Sequence, residues 1–197
     1  MTPPDETLPD AYFEDVYRAN ADPWNFETSA YEHAKYARTL AALPRERYAR
    51  ALEVGCSIGV LTGLLAERAD TLLSVDVNEQ ALARARERNR DRRNVTFERR
   101  RLPAEAPPGP FDLIVLSEVG YYFSTRDLEE VLDVLTGRLA PGGDLILVHW
   151  TPFVPDYPQT GDAVHGAALR RTPASLTHRC GERHEHYRLD VLSKPEI

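Results

Sequence analysis

The chain has 197 residues, 42% of them hydrophobic and 28% charged, with a formal net charge of −7. That length suffices to bury one sizeable core, and the acidic balance argues against a nucleic-acid binder, which needs surplus cations to neutralise phosphates. No run approaches eighteen consecutive apolar residues, so no membrane span is expected.

The start, MTPPDETLPD, has neither a basic beginning nor an apolar stretch and does not read as a secretory leader. Residues 10–43 read as helical with an interruption. DAYFEDVYRAN is a short amphipathic stretch, ADPWNF breaks it at Pro23, and TSAYEHAKYARTLAAL restarts with Thr28 or Ser29 as cap and Glu32 placed for a capping box. Pro44 stops the second helix. The segment is rich in aromatic residues, among them Tyr12, Phe13, Tyr17, Trp24, Tyr31 and Tyr36, and packing onto the domain accounts for most of them.

An alternating pattern follows. ALEVGC reads as a strand, GVLTGLLAERA as a helix, TLLSVDV as a strand, and NEQALARARERNR as a helix capped by Asn78. NVTFERR is a strand, and PPGPFDLIVLSEV leads through a proline turn into a continuous apolar strand. STRDLEEVLDVLTGRL is a helix capped by Ser124 or Thr125, APGG a turn, and DLILVHW a strand. Continuous apolar strands between amphipathic helices mean a mostly parallel sheet covered on both faces. Beyond Thr151 come a proline-bearing loop, a short helix DAVHGAALR, and two strands in SLTHRCGERHEHYRLDVLSK turning through CGERH. No repeat or linker interrupts the chain, so residues 1–197 read as a single domain, with a helical segment 10–44 ahead of an α/β core 48–197.

Two cysteines, Cys56 and Cys180, suit a reducing, cytoplasmic setting and do not imply a disulfide. Residues 84–101 carry nine arginines against Glu87, Asp91 and Glu98 in a chain with 22 arginines and two lysines. This reads first as a solvated helix end and strand, and second as a patch for an anionic ligand. His178, Cys180, His184 and His186 have zinc-ligand chemistry, but four of them would have to face inward from one hairpin. No metal is expected.

The stretch ALEVGCSIGVLTGLLAERADTLLSVDV, residues 51–77, carries the chemistry. In an open α/β sheet, ligands sit at the carboxyl ends of the strands, where strand order reverses. A nicotinamide fingerprint G-x-G-x-x-G starting at Gly55 would need glycines where Ser57 and Val60 stand. The alternative turn, an acidic residue two before G-x-G-x-G, is met by Glu53, Gly55, Ser57 and Gly59 with one glycine replaced. Asp76, 21 residues after Gly55, is then placed to accept hydrogen bonds from both ribose hydroxyls. Glu53 suits a cationic ligand, where a pyrophosphate would be repelled. Together with Asp76 and the later strands, the turn reads as that of an S-adenosylmethionine site.

The chain here resembles the class I S-adenosylmethionine-dependent methyltransferases, with PGPFDLIVLSEV like their fourth-strand motif and LAPGGDLILVHW like their fifth-strand hairpin. The resemblance implies a Rossmann-like, seven-stranded, mostly parallel sheet with helices on both faces, a last antiparallel strand and an N-terminal helical lid. DPWNFETSAYEHAKY, SEVGYYF and GDAVH are further similar to the nodulation protein S group, N-methyltransferases of deacetylated chitooligosaccharides. Ala30 and Ala34 depart from the aromatic and basic residues expected of that group.

By resemblance, Gly55, Ser57 and Gly59 line the methionine and ribose portion, Asp76 holds the ribose, and Val77 and Leu102 flank the adenine. Backbone groups around Arg101 and Leu102 read the adenine amine, and Ser117 approaches the methionine part. Trp24, Tyr31, Lys35 and Tyr36 form the lid, with Lys35 meeting a carboxylate. Glu118 and Tyr121 lie where the transferable methyl points, with Glu118 as proton acceptor or amine orienter. His149 and Trp150 end the fifth strand as base and substrate wall, and Asp162 and His165, one helical turn apart, meet the substrate. The expected activity is methylation of a small polar acceptor, an amine on a sugar or oligosaccharide. The competing readings are an O-methyltransferase of a natural-product scaffold, with His149 as base, and a non-catalytic nucleoside-binding protein.

Overall fold

The computed structural model describes residues 5–172 and 174–196. Met1 to Pro4, where the leader reading begins, lie outside the described residues. Two helices, α1 (Asp10–Ala19) and α2 (Ala30–Ala42), precede the sheet. The strands are β1 (Tyr48–Val54), β2 (Ala69–Asp76), β3 (Val95–Arg99), β4 (Phe111–Ser117), β5 (Leu139–Trp150), β6 (Thr177–Arg183) and β7 (Tyr187–Ser193). Between them run α3 (Val60–Leu65), α4 (Glu79–Arg88), α5 (Thr125–Arg138) and α6 (Gly161–Leu169).

All seven strands join one sheet in the order β3-β2-β1-β4-β5-β7-β6. The first five are parallel neighbours, and β7 inserts antiparallel between β5 and β6. Strand alternation assigns the two faces. Ile114, Leu116, Leu145 and Leu147 meet α5 and α6 in one core, while Leu113, Val115, Ile146 and Val148 meet Tyr36 of α2 and Leu61 and Leu65 of α3 in the other. Both faces being covered is why β4 and β5 read as unbroken apolar runs.

The caps act as expected. Ser29, Asn78 and Ser124 side chains accept from the amides of Glu32, Ala81 and Asp127. Only half of the first capping box forms, because the Glu32 carboxylate turns to Lys35 instead of back to the Ser29 amide.

Two boundaries differ from the sequence reading. APGG is not a turn but a bulge inside β5: Phe111 pairs with Leu139, and Leu113 next pairs with Asp144. Gly142 takes φ +71 there, and a Cβ on Gly143 would lie 2.9 Å from the Ala140 carbonyl oxygen, so the extra residues fold into the strand edge. The β6–β7 turn comes later than CGERH. Cys180 and Gly181 pair with Val191 and Asp190 inside the ladder, and the chain reverses over His184–His186. Cys56 and Cys180 are both free. Among the described residues no helix is long and apolar enough to cross a membrane.

Candidate active site

A cavity of about 430 Å³ opens at the carboxyl ends of β1, β2 and β4, where strand order reverses, and the N-terminal helices form its outer wall. It has a polar end around Asp76 and an aromatic end around Glu118. Of the residues expected in the site, Trp24, Tyr31, Lys35, Gly55, Ser57, Asp76, Val77, Arg101, Leu102, Glu118, Tyr121 and Trp150 lie on its lining.

At the polar end, Asp76 closes β2, and its two oxygens accept from the amides of Ser57 (2.8 Å) and Asn78 (2.9 Å). Burial pushes this carboxyl above its ordinary value, opposed by those amides. Each oxygen keeps a lone pair for a further donor. Ser57 therefore does not offer a free N–H: its amide is given to Asp76, and its hydroxyl lies 2.5 Å from the phenol of Tyr17. Ser57 stands at φ +51, a left-handed conformation costly without glycine. Gly55, at φ +78, is required by a neighbour as well as by the turn, since a Cβ would fall 2.0 Å from Val119 Cγ2. The amide of Arg101, expected to read an adenine, is donated to Glu105 (2.8 Å).

Glu53 and Gly59 lie off the lining. Gly59 caps α3 at φ +77, and a Cβ there would meet Ala85 and Asn89 of the α4 segment at 2.9 Å or less, so its role is helix packing. Glu53 is buried under the turn, where Oε2 accepts from Thr62 (2.6 Å) and Ser74 (2.7 Å). Burial pushes its carboxyl up to about 7. The folded protein thus holds a proton that the unfolded chain has released above its usual value of about 4.3, and stability from this group falls as pH rises between those values. Glu53→Gln keeps an acceptor for both hydroxyls and removes the charge. The melting temperature of the variant should match the native protein near pH 4 and exceed it by several degrees at pH 8. A difference that is the same at both pH values would exclude Glu53 as the titrating group.

At the aromatic end, Glu118 leaves β4 at φ +57 and is held by three donors. Lys35 Nζ lies 2.6 Å from Oε1, and the Tyr121 hydroxyl (2.6 Å) and Trp150 amide (2.9 Å) reach Oε2. Lys35 is 2% exposed and also contacts Glu32, so the carboxylates it meets are the protein's own. Two carboxyl groups around one lysine give this cluster a formal net charge of −1. Tyr31 and Trp150 pack edge to face at 6.0 Å, and Tyr121 stacks on Tyr157 at 5.0 Å, giving the negative cluster a frame of rings.

His149 does not face this frame. It is fully buried off the lining, its Nε2 accepting from the Gly120 amide (3.0 Å) and its Nδ1 lying 3.1 Å from His165 Nε2. Because Gly120 can only donate, the proton of His149 sits on Nδ1 and points to His165, whose own Nδ1 proton points to Asp190 at 2.6 Å. Both rings are neutral links in a buried chain, and burial holds both below the ordinary histidine range. His149 as a base and His165 as a substrate contact are corrected accordingly. Asp162 faces outward to Arg183 and Arg188, three residues along α6 from His165 but on another side. Ser117 pairs with Val148 and is also off the lining.

Sequence reasoning missed Tyr17, Glu32 and Tyr157 as lining residues. Tyr17 and Glu32 carried ordinary helix signals, and Tyr157 stands in an aperiodic proline loop. The arginine stretch also gains a setting. Arg84 donates to the Ala21 carbonyl (2.7 Å), Arg88 pairs with Glu27, and Arg99 and Arg101 pair with Asp10. Five of its nine arginines remain outside these straps, so it is only partly a fastening for the N-terminal segment.

The antiparallel β7 beside a parallel sheet, the glycine turn after β1 and the carboxylate closing β2 make this a class I methyltransferase fold. The structure of "N-methyltransferase NodS from Bradyrhizobium japonicum WM9 in complex with S-adenosyl-l-homocysteine" superposes with a TM-score of 0.83, over 93% of this chain and 98% of that one, at 24% identity. A Pseudomonas syringae structure assigned as a methyltransferase gives 0.74 over 84% of this chain and 100% of that one, at 37% identity. Residues 14–150 match the family described as Nodulation protein S (NodS), and the chain belongs to that family. It is 38% identical over 129 residues to Nodulation protein S of Bradyrhizobium diazoefficiens, covering 64% of this chain and 61% of that protein. It is 31% identical over 130 residues to that of Sinorhizobium fredii, covering 65% and 60%. The chain spans about three fifths of the length of these relatives.

Proposed function

We propose that the chain methylates the amino group of a small polar acceptor, a sugar or oligosaccharide, using S-adenosylmethionine. The observation that carries this reading is the net-negative cluster of Glu118, Lys35 and Glu32 inside a frame of Tyr31, Trp150, Tyr121 and Tyr157. Carboxylates favour a cationic amine, and aromatic faces suit both ammonium groups and sugar rings. Family membership supports the same chemistry. An O-methyl reading with His149 as base is opposed by the engagement of both its nitrogens.

The residues present fit the methyl donor. Asp76 keeps one lone pair per oxygen for the two ribose hydroxyls, and Val77 and Leu102 offer apolar sides for an adenine. When bound, the donor supplies a methyl already activated by sulfonium charge. The protein is left to position the acceptor, exclude water and remove the acceptor's proton. Glu118 does the orienting, its backbone fixed by its amide on the Val148 carbonyl (2.9 Å), and its carboxylate offers Oε1 to the incoming amine. The test is calorimetry with S-adenosylmethionine followed by a mass-spectrometric product screen across amino sugars and phenols. An N-methyl amino sugar supports the reading, and methylation confined to phenols or hydroxyls overturns it.

Residues 10–44 act in this reading as the lid of a single domain. Leu8 donates to the Tyr122 carbonyl (2.9 Å), Ser124 to Thr7, and Arg88 and Arg101 hold Glu27 and Asp10. The two arginine pairs are the more exposed of these straps, the kind of contact that opens at low cost, while the Leu8 and Thr7 contacts are partly buried. Hydrogen exchange over residues 10–43 should slow several-fold when S-adenosylhomocysteine is added. Identical exchange with and without it would refute closure. The two unpaired cysteines support a reducing, cytoplasmic setting.

A further inference from the structure

Glu32 contributes only its charge to the reading above, yet it lines the cavity with a buried carboxyl group. Its Oε1 accepts from Lys35 at 3.0 Å, and Oε2 lies 2.9 Å from the same nitrogen but takes no hydrogen bond. Glu118, on the other side of Lys35, has three well-placed donors. Donors stabilise a carboxylate, and of the two acids that share one lysine Glu118 is the more fully served by them.

We propose that Glu32 is the final acceptor of the proton that the acceptor's ammonium must lose, reached from Glu118 through Lys35. This rests on the amine reading above. Oε2 of Glu118 already holds two donors, whereas Oε1 holds only Lys35 and has a lone pair for the substrate. The ammonium docks there and passes one proton to Oε1. Lys35 passes a proton from Nζ to Glu32, and the proton on Glu118 Oε1 moves to the lone pair left on Nζ. The result is a neutral amine, an ionised Glu118, a charged Lys35 and a protonated Glu32, with no net change in charge or hydrogen count. The amine lone pair then forms the N–C bond as the C–S bond of the sulfonium breaks, its electron pair staying on sulfur. Glu32 returns its proton to solvent when the lid opens.

Burial supports the direction of transfer by pushing the Glu32 carboxyl above its ordinary value against the pull of Lys35, its largest opposing influence. The titratable groups facing it are Tyr31, Lys35 and Tyr36 on its own helix and Glu118 from the loop after β4. Tyr31 and Tyr36 are both held above the ordinary tyrosine range by burial, so they stay neutral. Glu32 is thus the group in this cluster whose burial favours its protonated form.

The test compares wild type with Glu32→Gln on one amino-sugar acceptor. In wild type bound to S-adenosylhomocysteine, addition of the acceptor should raise a carboxylic-acid band in the difference infrared spectrum, and that band should be missing from Glu32→Gln. The variant should lose about 10²-fold in kcat/KM at neutral pH and recover as pH rises past the acceptor's own pKa, where the amine arrives already neutral. S-adenosylhomocysteine affinity should be unchanged, which separates proton acceptance from damage to the fold. No acid band in wild type, or a wild-type pH profile in the variant, overturns the relay while the amine reading stands, because wild type forms N-methyl product in the same assay. If wild type methylates no amine there, the reading falls and the relay with it.

Discussion

Glu118→Gln is expected to lower kcat by roughly 10²–10⁴-fold, the usual range for a positioned proton-transfer group. The amide keeps the shape of the side chain and can still accept from the Trp150 amide and the Tyr121 hydroxyl through one oxygen. It cannot take a proton from an ammonium, and its NH₂ would face Lys35, donor against donor. Lys35 retains Glu32, so the buried lysine is not left unpaired and the fold should survive. Asp76 and the glycine turn are untouched, so affinity for S-adenosylhomocysteine should stay within about twofold. Steady-state kinetics and calorimetry on the one variant read both quantities. Full turnover would remove Glu118 from the proton path, and equal losses in kcat and cofactor affinity would mean that the loop had moved.

Asp76→Ala is expected to weaken S-adenosylmethionine by about 10²–10⁴-fold, from two charge-assisted bonds worth about 1.5–3 kcal/mol each. The loss has two parts. The ribose hydroxyls lose their acceptor, and the amides of Ser57 and Asn78 lose theirs, releasing a left-handed Ser57 whose turn forms the floor of the cavity. Asp76→Asn separates them, since its oxygen can still accept from one amide while the charge is gone. Calorimetry should rank wild type above Asp76→Asn above Asp76→Ala, with a nicotinamide nucleotide binding none of the three more tightly than the sulfonium binds wild type. Unchanged affinity in Asp76→Ala would place the cofactor elsewhere.

Several of the lining residues that could be read from the chain are tied to strand ends. Asp76 ends β2, Glu118 follows β4 and Trp150 ends β5, and in a parallel sheet such positions fall on one edge whatever the details of packing. His149 shows where that logic stops. It also ends β5, but alternation along the strand sends neighbouring side chains to opposite faces, and His149 goes to the α6 side to meet His165 and Gly120. Asp162 and His165 share a helix at a spacing that suggests one surface, yet only His165 turns to the sheet.

The sequence by itself determined the parallel sheet, the helix caps, the glycine turn with its carboxylate partner and the acidic, aromatic character of the site. These are local: they depend on periodicity, on one side chain and one amide, or on spacing within fifty residues. Only the tertiary structure decided which polar groups meet. Lys35 and Glu118 are 83 residues apart, Tyr17 and Ser57 are 40 apart, and His165 and Asp190 are 25 apart. Nothing in their own segments marks these pairs, because each side chain there fits its helix or strand equally well alone. Burial then set their chemistry, raising Glu32 and Glu53 and lowering His149 and His165. The cost of removing a charge from water is a property of everything packed around it, and that surrounding exists only once the chain has folded.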